Sequence, residues 1–269
     1  MDTRSIGVFD SGLGGLTAVK QIMKELPNED IVYFGDTGRV PYGTRSKETI
    51  IKYSKNDVNF LLKNDVKMIV IACGTVSSTA LDILKKEYDL PIIGVVEATS
   101  RAAIGATKNG KIGIIGTSGT IKSGAYEKFI NGEKPEIKTF SRACPLFVPL
   151  VENGHFETEV AKLVVKEYLE EIKKEGVDTL ILGCTHYPLL SKAIGEFMGE
   201  SVTLINAGAE VAKALKSELS AENLLKEDDK IGEYKYFVSD NVDGFESLGG
   251  MFLEKEIDGQ VEKIDIERY

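Results

Sequence analysis

The feature that most constrains the fold is a pair of matched segments. Ile69-Val70-Ile71-Ala72-Cys73-Gly74-Thr75 resembles Leu180-Ile181-Leu182-Gly183-Cys184-Thr185. Upstream, Ile6-Gly7-Val8-Phe9-Asp10-Ser11-Gly12 resembles Ile112-Gly113-Ile114-Ile115-Gly116-Thr117-Ser118-Gly119. Cys73 follows Ile6 by 67 residues and Cys184 follows Ile112 by 72. Two matched pairs at near-equal offsets imply two related halves. Each half has an opening strand with a small-residue turn and a later strand that ends in Cys.

Apolar runs rich in Val and Ile predict strands at 5–10, 31–35, 66–72, 92–95, 112–116, 179–183, 202–206 and 236–239. Helical spacing falls between them at 15–26, 47–63, 77–88, 156–174 and 207–219. Alternating β and α units with continuous apolar strands predict an α/β fold, with parallel sheets covered on both faces. A chain of 269 residues has room for two such domains.

Composition narrows the function classes. The net charge is -9, and Lys residues are dispersed among Glu and Asp, which speaks against binding nucleic-acid backbones. Met1-Asp2-Thr3-Arg4 leads straight into an apolar strand with no secretory h-region, and no segment approaches 18 uninterrupted apolar residues. Three Cys are too few and too dispersed for a disulfide framework. The expectation is a cytoplasmic protein with reduced thiols.

In open α/β sheets, ligands bind at the carboxyl ends of the strands. Cys73 and Cys184 both sit there, where a following helix N-terminus would favour the thiolate. A lone Cys is more often a small buried hydrophobe; two at equivalent ends of a repeat point to function. Cys144, in Ala143-Cys144-Pro145-Leu146-Phe147, lies outside the repeat and reads as structural. His186 could share protons with Cys184 or be an ordinary turn residue. Zinc is not expected, because no C-x-x-C or H-x-x-x-H pair exists. A Cys-His protease would leave the second Cys unexplained.

Asp10-Ser11-Gly12-Leu13-Gly14-Gly15 invites a dinucleotide reading, with Asp36 ending the next strand. The G-x-G-x-x-G fingerprint fails because Thr17 stands where the third Gly should be. Asp10 then reads either as a helix N-cap or as a partner for a substrate ammonium group. Pro41-Tyr42-Gly43 offers backbone donors and a phenol in a turn that suits a carboxylate.

Together these pieces resemble the glutamate racemases of the aspartate/glutamate racemase superfamily. The matching residues are 9–16, Gly35-Asp36 with Pro41-Tyr42-Gly43, Ala72-Cys73, Gly116-Thr117, 144–152 and 182–188. One departure stands out: the family usually has Asn after the first Cys, where this chain has Gly74. The resemblance implies two pseudo-symmetric α/β lobes around a cleft. Lobe one would be 1–97 with 207–269, and lobe two 98–206. It implies interconversion of L- and D-glutamate for peptidoglycan synthesis, with no pyridoxal phosphate and no metal. Cys73 would take the α-proton from D-glutamate and Cys184 from L-glutamate. Asp10 would assist Cys73, while Glu152 and His186 would assist Cys184. Ser11, Pro41, Tyr42, Gly43, Gly74, Thr75, Thr117, Thr120 and Thr185 would hold the substrate, with Asp10 and His186 beside it. Family members are often dimers, so a homodimer is an allowed assembly.

Elementary chemistry agrees with two bases. Inverting a carbon with one base requires the base to move or the intermediate to turn over. Two thiols on opposite faces avoid both, provided one is protonated when the other is not. The developing carbanion then depends on water exclusion and preplaced donors. An aspartate racemase and a two-lobed solute-binding protein remain the alternatives at this point.

Overall fold

In a computed structural model, the apolar runs form ten strands among the described residues, which are 2–227, 230–257 and 259–269. Met1, Asp228, Asp229 and Asp258, all inside the expected lobe one, lie outside the described residues. The strands are β1 (Ser5–Asp10), β2 (Ile31–Gly35), β3 (Val66–Ile71), β4 (Ile92–Gly94), β5 (Lys111–Gly116), β6 (Lys138–Ala143), β7 (Thr179–Leu182), β8 (Thr203–Asn206), β9 (Tyr234–Val238) and β10 (Val261–Lys263). They build one sheet in the order β10-β9-β2-β1-β3-β4 and a second in the order β6-β5-β7-β8, and every pairing is parallel. The series β2-β1-β3-β4 and β6-β5-β7-β8 share one topology, so the sequence repeat is a repeat of structure.

Side chains alternate between two faces of each sheet, as a period of two requires. Ile6 and Val8 of β1, Met68 and Val70 of β3, and Leu180 and Leu182 of β7 enter one core, which runs continuously across both sheets. Phe9, Ile69 and Ile71 turn the other way, towards the helices Lys47–Leu62, Gly74–Thr79 and Leu81–Glu87. Ile112, Ile114 and Ile181 do the same beneath Val95–Ala106 and Ala125–Glu133. Val95–Ala106 carries the chain from β4 to β5, and Ala207–Ala221 carries it back from β8. These two helices pack on each other, and the second also packs on Leu16–Glu25. No helix among the described residues is long and apolar enough to cross a membrane.

Some sequence expectations need correction. The predicted helix 77–88 is two helices, Gly74–Thr79 and Leu81–Glu87, broken at Ala80. The helix predicted from 156 starts at Glu159, where the Thr158 side chain accepts the Ala161 N–H and satisfies one of the first-turn donors. Strands β6 and β10 were not expected. Both are edge strands with largely exposed or half-exposed residues, so they lack the apolar run that marks a buried strand.

Candidate active site

The carboxyl ends of the two sheets face one cavity of about 280 Å³. That is near the lower bound of pockets for drug-sized ligands, roughly 300–1,000 Å³, and suits a smaller molecule. Ser11, Pro41, Tyr42, Gly43, Cys73, Gly74, Thr75, Thr117, Glu152, Cys184, Thr185 and His186 line it, as do Pro145, Val148 and Pro149. Asp10 and Thr120, also expected at the site, stand behind the wall. Cys144 is fully buried away from the cavity, and Tyr187 donates to its carbonyl at 2.9 Å.

Cys73 follows β3 after Ala72 and sits at the N-cap of the helix Gly74–Thr79. Its Sγ donates to Ser11 Oγ at 3.6 Å. The helix N-terminus favours the thiolate as expected, through the Val76 N–H, but it is outweighed. Burial pushes the Cys73 thiol up to about 12 and the Asp10 charge adds to this, outweighing the Val76 N–H and Ser11. Asp10 is completely buried, and its Oδ2 accepts the N–H groups of Gly12 at 3.2 Å and Gly15 at 3.0 Å. Its Oδ1 accepts from Thr185 Oγ1 at 3.4 Å. Burial raises the Asp10 carboxyl, against the pull of the His186 charge and these donors. The carboxylate thus braces the turn ahead of the helix Leu16–Glu25 and is not itself on the cavity wall.

Cys184 follows β7 after Gly183 and leads into a 3-10 turn, Tyr187–Leu190, not into an α-helix. Its Sγ lies 3.9 Å from His186 Nδ1, and His186 Nε2 lies 3.0 Å from Glu152 Oε1. Burial works against a charged imidazole, but Cys184 and Glu152 outweigh it and hold His186 up to about 10. A protonated His186 ring would stand beside the Cys184 sulfur with Glu152 behind it.

Around the thiols, hydroxyls bridge the two sheets. Thr75 Oγ1 is 2.9 Å from Thr117 Oγ1, and Thr120 stands 3.0 Å behind Thr117. Thr17, the residue that broke the dinucleotide fingerprint, donates to the Thr185 carbonyl at 2.8 Å and ties the Leu16–Glu25 helix to the Cys184 loop. Nothing local in the sequence signals that contact.

The Tyr42 phenol does not point at a ligand as the sequence suggested. It donates to Asp36 Oδ2 and lies 3.2 Å from Asp57 Oδ2. Arg39 joins both carboxylates, at 2.6 Å and 2.9 Å, and Ser239 donates to Asp36 at 2.7 Å. Asp36, which ends the strand after the Gly-rich turn, is part of this buried scaffold. Burial and the Asp36 charge push the Asp57 carboxyl well above the usual carboxylate range. Asp57 had one readable signal: it lies with Ile50, Ser54 and Leu61 on the buried stripe of Lys47–Leu62.

Two proton-carrying side chains meet at one small cavity from equivalent ends of two repeated sheets. Such an arrangement suits an isomerase that works on both faces of one carbon centre. Comparison with known proteins narrows it. The Asp/Glu/Hydantoin racemase family matches residues 11–215. The glutamate racemase of Geobacter metallireducens is 47% identical over 267 residues, covering 99% of this chain and 98% of that protein. A glutamate racemase isoform from Bacillus anthracis superposes with a TM-score of 0.95 at 40% identity, over 98% of each chain. The Francisella tularensis glutamate racemase, solved with D-glutamate, superposes with a TM-score of 0.93 at 40% identity, over 100% of each chain. The chain belongs to the Asp/Glu/Hydantoin racemase family, as an amino-acid racemase.

Proposed function

We propose that this racemase interconverts L- and D-glutamate, with Cys73 and Cys184 as its two bases. The observation that carries the reading is the convergence of both thiols on one cavity from matching strand ends. Cys184 takes the α-proton of L-glutamate while Cys73, protonated, delivers its proton to the opposite face. The reverse reaction exchanges these roles. His186 and Glu152 balance charge at Cys184, and Asp10 acts on Cys73 from behind the wall. Ser11, Thr75, Thr117, Thr185 and the backbone at residues 41–43 and 74 hold the substrate, with Thr120 supporting Thr117. The thiols supply both proton positions, so the reaction needs no cofactor. In this reading lobe one is 1–97 with 207–269 and lobe two is 98–206. The cellular role that fits is cytoplasmic supply of D-glutamate for peptidoglycan, by a monomer or a homodimer.

Circular dichroism of L-glutamate and, separately, L-aspartate incubated with the protein tests the substrate. Glutamate should lose its signal and aspartate should keep it; the opposite result makes the protein an aspartate racemase. In deuterated water, the first D-glutamate formed should carry α-deuterium while remaining L-glutamate stays protiated. Protiated D-glutamate as the main initial product would rule out two thiols. Protein dialysed against chelator and treated with hydroxylamine should keep its rate.

A further inference from the structure

Gly74 occupies the place where the resemblance leads one to expect Asn. Its backbone meets the backbone of Gly183 across the cleft. A Cβ on residue 74 would fall far inside van der Waals distance of the Gly183 carbonyl oxygen. Neither side of this contact can yield easily. Gly183 donates its N–H to Ile115 at 2.8 Å, and a Cβ on Gly183 would itself crowd the Ile115 carbonyl. Residue 74 opens a helix whose first turn is closed by the Ser77 N–H to Cys73 carbonyl bond at 2.9 Å. With this chain's backbone, a Cβ at 74 requires a shift of about an ångström in residue 74, in the Gly183 carbonyl, or in both.

The meeting residues are the immediate neighbours of the two thiols: Cys73 precedes Gly74, and Cys184 follows Gly183. We infer that Gly74 is a positioning residue whose bare backbone contact with Gly183 sets the separation of the Cys73 and Cys184 sulfurs. The Thr75–Thr117 hydroxyl pair at 2.9 Å spans the same gap and would be stretched by the same displacement. Gly74 does not have a positive φ, and Ala is the better helix former, so local backbone preference does not demand glycine here. The demand comes from across the cleft.

This role rests on the two-thiol glutamate reading, and Gly74→Ala tests it. The expected result is a kcat lower by roughly 10–100-fold, the scale of a one-ångström misplacement. KM should stay within about threefold and the unfolding midpoint should not fall. A more specific sign comes from deuterated water. With the donor thiol set back, the carbanion lingers and more of it returns to the face it left after the abstracting thiol has exchanged. Deuterium in recovered L-glutamate, relative to D-glutamate formed, should therefore rise. A merely less active enzyme would leave that ratio alone. Gly105→Ala, where a Cβ meets open space, is the control and should behave as wild type. Wild-type protein that does not racemise glutamate overturns the functional reading and this role together. Wild-type racemisation beside a Gly74→Ala enzyme with unchanged kcat and unchanged ratio overturns only the spacing role. A Gly74→Ala chain that fails to fold also overturns it, because Gly74 would then serve folding and not closure.

Discussion

Cys73 and Cys184 occupy equivalent strand ends in sheets of shared topology, yet their neighbours carry opposite charge. Beside Cys73 stand Ser11 and, behind the wall, the buried carboxylate of Asp10; burial and that charge keep the thiol protonated, with its titration pushed up to about 12. Beside Cys184 stands the His186 imidazole, backed by Glu152, with its titration pushed up to about 10. The repeated topology places the sulfurs, and the unrepeated neighbours give each a different electrostatic setting. The two environments are also linked. Thr185, between Cys184 and His186, donates to Asp10, and the His186 charge opposes the rise of the Asp10 carboxyl.

The most severe way to break the comparison is to remove either sulfur. Cys73→Ala and Cys184→Ala should each lower kcat by about 10⁴-fold or more, because neither face has a substitute base. Cys144→Ala, which removes the thiol outside the cavity, should retain most activity. Steady-state rates in both directions check this, and an active Cys184→Ala enzyme beside a dead but folded Cys144→Ala would reverse the assignment.

Exchanging the neighbours' charges should weaken activity less and reveal which side each serves. Asp10→Asn and His186→Gln should each lower activity by roughly 10²-fold. The enantiomers have equal free energy, so kcat/KM must remain equal in both directions for every variant. The asymmetry must appear in kcat and KM separately. His186→Gln should depress kcat more from L-glutamate, and Asp10→Asn more from D-glutamate. Equal kcat losses in both directions would sever the link between each neighbour and its thiol.

The two halves also brace their cavity-lining loops differently, with buried charge behind residues 41–43 and hydroxyls behind Thr117. Arg39→Met leaves Asp36 and Asp57 without their cation and should destabilise the fold by about 3–5 kcal/mol. Tyr42→Phe should lower stability by about 1–3 kcal/mol. Its KM should stay within a few-fold, because the phenol faces Asp36 and Asp57. A tenfold KM rise with unchanged stability would put the phenol on the substrate after all.

The last comparison concerns pH and stability. His186 is raised from 6.5 in the unfolded chain to about 10 in the fold. A raised base stabilises the folded state fully below pH 6.5, and that contribution is lost as pH rises through about 10. The difference in unfolding midpoint between wild type and His186→Gln should therefore shrink across this window. A constant difference would mean that His186 is not held as a cation.

Much of this was readable in the chain. Continuous Val and Ile runs marked the buried strands, because a strand covered on both faces must be apolar on both. The repeated Cys endings, and the runs around Pro41 and from Cys144 to Glu152, brought together most residues that line the cavity. Edge strands β6 and β10 escaped because exposure removes the apolar signal. Tertiary structure alone decided the rest. It turned the Tyr42 phenol away from the cavity and set Asp10 behind the wall. It also joined Thr17 to Thr185, and brought Gly74 against Gly183. Sequence periodicity records which face of an element is buried. It does not record what lies against that face when the partner comes from a distant part of the chain. Thr17 and Thr185 are 168 residues apart, and Asp36 and Ser239 are 203 apart. Such contacts exist only once two sheets, each shaped by its own local pattern, are set at one distance and angle.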